Sequence, residues 1–284
     1  MRMNMRFHCL TGLLIIFALC AFGLLPDDAA WAASAKPLLF LVAGQSNAKG
    51  SAEKPSSIVV PSGAFWNGKE WVHPLRDPVF PAPKGGFCPA LAKSVVDATG
   101  RKVYIVNTAV SASSSNPAYF ESRKKSWSAY GRLRRRAAAI YRNAAAALNE
   151  PFELGGAIWM QGEQEAKYYA EGFISLEEAR QGFEDVLAWL SASFGRVFVV
   201  GIGYRNGTDR YDSAHESINE LLKRTSRRIP HCSFASDMPM RLRSLGLMQK
   251  PVNRQNPHYL IRGYDLLGED VGQYVARHFT AGRW

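Results

Sequence analysis

Short apolar runs rich in β-branched and aromatic residues alternate along the chain with longer segments of helical periodicity. Residues 38–43, 103–107, 156–160 and 196–202 predict buried strands, and 232–236 a weaker fifth. Residues 89–98, 130–148, 175–193, 213–227 and 264–279 predict helices between and after them. This alternation predicts an α/β fold, a three-layer α/β/α sandwich on a central parallel sheet of about five strands. Residues 51–86 interrupt the pattern: they are rich in Pro and Gly, contain Trp66 and Trp71, and are expected to form a long surface loop walling a substrate cleft. No internal repeat or low-complexity linker marks a second domain.

The N-terminus has a different pattern. Arg2 and Arg6 precede an apolar run over residues 10–25, and Ala30, Ala32, Ala33 and Ala35 come next around Trp31. That is the layout of a secretory signal peptide, with an apolar run shorter than the roughly 20 residues of a membrane span. The expected organisation is a signal peptide over 1–35 and one domain over 36–284, exported to the periplasm or the medium. No stable membrane insertion is expected after cleavage, and an uncleaved anchor stays open. Leu19 before Cys20 speaks against lipidation. The mature chain keeps Cys88 and Cys232, for which a disulfide and two free thiols are both open.

Composition, 47% hydrophobic and 21% charged, describes a globular domain, while the formal charge of +11 asks for a partner or a solvated face. Much of it is local, in Arg123, Lys124, Lys125, Arg132, Arg134, Arg135 and Arg136. The preferred reading is a solvated helix face, with an anionic polysaccharide as the alternative. No nucleic-acid motif accompanies the charge, so no such partner is expected. Oligomeric state is left open.

Ligands of parallel sheets sit beyond the carboxyl ends of the strands, and three polar motifs stand there. Gly44-Gln45-Ser46-Asn47 ends the first strand; a serine at such a turn exposes its hydroxyl, while nearby backbone N–H groups can face an oxyanion, although Ser46 or Asn47 could equally cap a helix. Trp159-Met160-Gln161-Gly162-Glu163 ends a later strand, with Gln161 an amide donor and Glu163 a carboxylate able to orient a histidine. Asn256-Pro257-His258 precedes the last helix, and a loop histidine, neutral near pH 7, can take a serine proton. His73, His215, His231 and His278 read as surface or packing residues. No metal-binding spacing, P-loop or G-x-G-x-x-G is present, so no metal or cofactor is expected.

Taken together, the three motifs resemble the carbohydrate-esterase branch of the SGNH hydrolases, which includes sialate O-acetylesterases and acetylxylan esterases. The last block continues through Gly263, Tyr264, Leu267 and Gly268, and the resemblance runs from Leu38 to Phe279. It implies an SGNH/flavodoxin-like fold and a serine esterase that removes O-acetyl groups from a carbohydrate through an acetyl-enzyme. It assigns Ser46 as nucleophile and His258 as base, and places oxyanion or substrate contacts at Gln45, Asn47, Gly86 and Gln161, with the Cys88 amide an alternative to that of Gly86. Many relatives carry an Asp three residues before the histidine, where this chain has Gln255, so Glu163 is the expected acid. An O-acetyltransferase with the same triad, or a glycan-binding protein lacking turnover, are the alternatives. Trp66, Trp71 and Tyr119 are candidate sugar-stacking positions.

Overall fold

The computed structural model describes residues 35–78, 84–116, 125–252 and 255–280. The expected signal peptide therefore lies outside the described residues but for Ala35, as do Tyr119, Arg123 and Lys124. Lys36–Trp284 constitute one structural unit.

Seven strands form one sheet: β1 (Leu38–Gly44), β2 (Gly63–Trp66), β3 (Trp71–Val72), β4 (Val103–Asn107), β5 (Glu153–Met160), β6 (Val197–Val200) and β7 (Cys232–Ser236). Their order is β3-β2-β4-β1-β5-β6-β7, and every pairing is parallel except β2 with β3. β1 is wholly buried and its side chains alternate between two cores, as the twofold pleat requires. Leu39, Leu41 and Ala43 face one cluster; Leu38, Phe40 and Val42 face the other. Helices α3 (Leu133–Ala146), α5 (Leu176–Phe194) and α6 (Asp212–Arg228) cover the first face. Helices α2 (Cys88–Thr99) and α8 (Ile261–Thr280) cover the second, packed so closely that a Cβ on Gly268 would lie 2.4 Å from the Phe87 carbonyl oxygen. Three short helices complete the set: α1 (Ser46–Lys49), α4 (Glu163–Ala170) and α7 (Met238–Arg241).

The three-layer α/β/α architecture is as expected, and the five expected strands and five expected helices are present with small shifts of their ends. The start of α5 is explained by its sequence, because Ser175 and Glu178 cap it reciprocally.

The segment 51–86 departs from the expected loop. It contributes β2 and β3, a hairpin that extends the sheet by pairing with β4. Trp66 is buried with its ring 5.3 Å from that of Trp71, Trp71 meets Tyr104 edge-on at 4.9 Å, and Trp71 Nε1 donates to the Ala144 carbonyl. Both tryptophans are thus packing groups, because burying a large ring here outweighs leaving it at a cleft. Trp66→Ala is accordingly expected to cost about 3–5 kcal/mol in urea unfolding. Its kcat/KM on an acetylated polymer, per folded molecule, should stay at the parent's value.

Candidate active site

β1 is central: β4, β2 and β3 lie on one side of it, with β4 adjacent, and the chain then crosses β1 to lay down β5, β6 and β7 outward on the other side. The carboxyl ends of β1 and β5 therefore flank the point where the winding reverses, where such sheets bind ligands. Ser46 comes directly after β1 and Glu163 after β5. Gly44 makes the turn possible: its φ is +131°, and a Cβ there would sit 1.9 Å from the Met160 carbonyl oxygen. The Gln45 amide bonds that same oxygen at 3.1 Å, which locks the Ser46 turn to β5. Ser46 opens α1, where the first backbone N–H groups have no partner within the helix, and the residue is 8% exposed.

The three sequence motifs meet in the side chain of Asn47. Its Nδ2 donates to Glu163 Oε1 at 2.7 Å and to the Pro257 carbonyl at 3.1 Å, while its Oδ1 accepts from the Tyr264 hydroxyl at 2.6 Å. Asn47 is fully buried with its amide committed, so it joins the motifs rather than facing a ligand.

Gln161 is committed in the same way. Its Nε2 donates to Gln45 Oε1 at 2.8 Å, the Ser113 carbonyl at 2.8 Å and Glu165 Oε2 at 2.9 Å, and it too is fully buried. Two N–H groups shared among three acceptors leave none for an oxyanion. Gln45 Oε1 is spent on this network as well. The Gly86 amide points at both oxygens of Asp77, each at 3.2 Å. Asp77 is buried, which pushes its carboxyl up to about 6, and it also holds the Ser56 amide. Glu165 belongs to none of the expected contacts, although it stands one helical turn from Gln161. It gathers the Ser114 hydroxyl and the Ser115 amide and hydroxyl, pinning the loop after β4.

Glu163 keeps one oxygen free. Oε1 takes the Asn47 amide, whereas Oε2 is buried without a hydrogen-bond partner among the described residues. Burial pushes its carboxyl up to about 7; the Asn47 bond and the Arg205 charge pull it down, and Glu165 pushes the other way. His258 stands on a loop fixed at its backbone: the Asn256 side chain accepts its amide at 3.0 Å, and the Gln249 amide donates to its carbonyl at 3.0 Å. Burial lowers the His258 pKa, and the charges of Lys84 and Arg205 lower it further, so the ring is neutral at pH 7. Among the described residues no hydrogen bond joins Ser46 Oγ, the His258 ring and Glu163 to one another. Gln255 accepts from Arg205 Nη1 at 3.2 Å. Cys88 and Cys232 are both free thiols.

A family model described as carbohydrate esterase, sialic acid-specific acetylesterase, matches residues 36–181, just over half of the chain. The chain belongs to this family. It is a carbohydrate O-acetylesterase by that membership, and the matched stretch contains the motifs at the ends of β1 and β5. No curated protein matches this esterase. Among solved structures, a protein from Arabidopsis thaliana is similar at 15% identity and a TM-score of 0.57, covering 86% of this chain and 99% of its own. An alpha/beta hydrolase enzyme from the metagenome of Lake Arreo is similar at 15% identity and a TM-score of 0.50, covering 85% and 95%. An acetylxylan esterase from Geobacillus stearothermophilus is similar at 12% identity and a TM-score of 0.49, covering 84% and 94%. At such identities the first two speak for the esterase's fold alone. Among the described residues no helix of the esterase is long and apolar enough to cross a membrane.

Proposed function

We propose that the enzyme removes O-acetyl groups from a carbohydrate with Ser46 as nucleophile, His258 as base and Glu163 as the acid behind the base. The observation that carries this reading is the buried, unpartnered Oε2 of Glu163, held by Asn47 between the Ser46 turn and the His258 loop. A buried carboxylate oxygen without a donor is costly, and an imidazole N–H from the His258 loop is the donor this reading assigns to it. Catalytic hydrogen bonds are often open in free enzymes and close around substrate.

These groups define the steps. His258 takes the Ser46 proton as Oγ bonds to the acetyl carbonyl carbon. The tetrahedral oxyanion faces the free backbone N–H groups at the start of α1, with the Cys88 amide at the start of α2 as a second donor. His258 then returns the proton to the departing sugar oxygen, leaving an acetyl-enzyme. Water, deprotonated by His258, attacks it and releases acetate. Glu163 as carboxylate steadies the imidazolium in both halves. We also place the protein outside the cytoplasm, on the strength of residues 1–35.

The test is acetate release from 4-nitrophenyl acetate and a panel of acetylated polysaccharides, by the parent and by Glu163→Gln. Because Glu163 must lose its proton to serve, kcat/KM should rise between about pH 6 and pH 8 in the parent. Glu163→Gln should lower it by about 100-fold or more at pH 8. Full activity in that variant would exclude the assigned acid, and glycan binding without acetate release by the parent would exclude the esterase reading.

A further inference from the structure

The loop after β6 carries Arg205, a residue that no motif singled out. Its Nη1 donates to Gln255, its guanidinium carbon lies 5.1 Å from the centre of the Tyr211 ring, and its Nε is buried without a hydrogen-bond partner. The backbone of this loop is clamped. Arg243 Nη1 donates to the carbonyls of Arg205 and Thr208, each at 3.3 Å, and to Asp212 Oδ1 at 2.9 Å, while its guanidinium carbon sits 4.3 Å from the Tyr204 ring centre.

The clamp reaches the catalytic histidine. Asn206 and Asn256 exchange backbone hydrogen bonds at 2.8 and 3.0 Å, and Asn206 Nδ2 donates to the Gln249 carbonyl at 2.8 Å. Gln249 in turn holds the His258 carbonyl. The Arg205 charge acts on Glu163, Glu171 and Tyr211 and on His215 and His258, with Lys84 also acting on His258. A half-buried guanidinium with its Nε shut off from water costs free energy unless its charge is used. Gln255 satisfies one of its N–H groups but neutralises nothing. An acid at that position would cancel the cation.

We propose that Arg205 is a positioning residue of this site: through its hydrogen bond to Gln255 and the clamped loop it fixes the strand of chain that carries His258 and holds a positive charge beside it. Gln255 is thereby an anchor for the cation rather than a defective triad acid. The inference rests on the proposed roles of His258 and Glu163. Without the charge, Glu163 holds its proton to higher pH, and His258 does the same. Both changes move the acid limb of the pH–rate profile upward.

The experiment uses the full chain, isotopically labelled at histidine, with the His258 signal assigned by its loss in His258→Gln. Arg205→Gln should raise the His258 titration midpoint by about one pH unit, the effect of a unit charge at short range in a half-buried setting. It should lower kcat/KM at pH 7 about tenfold and shift the acid limb in the same direction. Arg205→Lys, which keeps the charge, should return midpoint and limb towards the parent's; Arg205→Met serves as the neutral variant if Arg205→Gln does not fold. An unmoved midpoint in the neutral variant, or a lysine variant that behaves like it, overturns the proposal. The titration needs no turnover, so activity that survives in Ser46→Ala would remove the underlying site reading while leaving a measured Arg205 effect in place.

Discussion

Ser46→Ala is expected to lower acetate release by roughly three orders of magnitude or more, with the fold and its unfolding midpoint intact. The substitution removes one oxygen that makes no hydrogen bond among the described residues, at a residue still 8% exposed, so little stability depends on it. What it removes is the atom that would carry the acetyl group. The backbone N–H groups at the start of α1 and the Glu163–Asn47–Tyr264 chain stay in place, so the variant should still bind acetylated carbohydrate. Steady-state acetate release, with calorimetric binding of an acetylated oligosaccharide, checks both halves of the expectation. Undiminished turnover would show that another nucleophile does the chemistry.

Gly44→Ala should do the reverse, destroying the scaffold before the chemistry. A Cβ at this position meets the Met160 carbonyl oxygen at 1.9 Å and the Ala48 Cβ at 3.1 Å, on a backbone with φ of +131° that L side chains rarely adopt. Relief requires β1 and β5 to part where Gln45 bonds Met160, and that junction holds the Ser46 turn to the strand that leads to Glu163. The expected cost is more than about 3 kcal/mol, with activity lost in whatever fraction stays folded. Gly172→Ala is the control: its φ is also positive, at +74°, but nothing lies within 4 Å of the added carbon. It should cost about 1 kcal/mol and leave turnover unchanged. Similar urea midpoints for the two variants would mean that backbone strain alone, and not the contact with β5, governs Gly44.

In sequence both are glycines near the end of an element, and only the neighbouring strand separates them. The same holds for Asn47, Gln161 and Gly86. Their residue types suit an oxyanion hole, and local pattern carries no information about which partner an amide will find. Long-range contacts decide that: Asn47 meets Glu163 and Tyr264, and Gly86 meets Asp77. Arg205 was invisible for the same reason, since its meaning lies in Gln255 and Glu163, which are remote in the chain.

By itself the sequence determined the alternation of strands and helices, the placing of three polar motifs at strand ends or before the last helix, and with them the family. These are properties of local periodicity and of short motifs, which a linear string records in full. The tertiary structure alone decided that residues 63–72 extend the sheet, that Trp66 and Trp71 are packing groups, and that Asn47 joins the three motifs. It also decided that Gln255 answers to Arg205. The physical reason is that burial and hydrogen-bond satisfaction are properties of a residue's whole surroundings, and those are assembled only when distant segments pack.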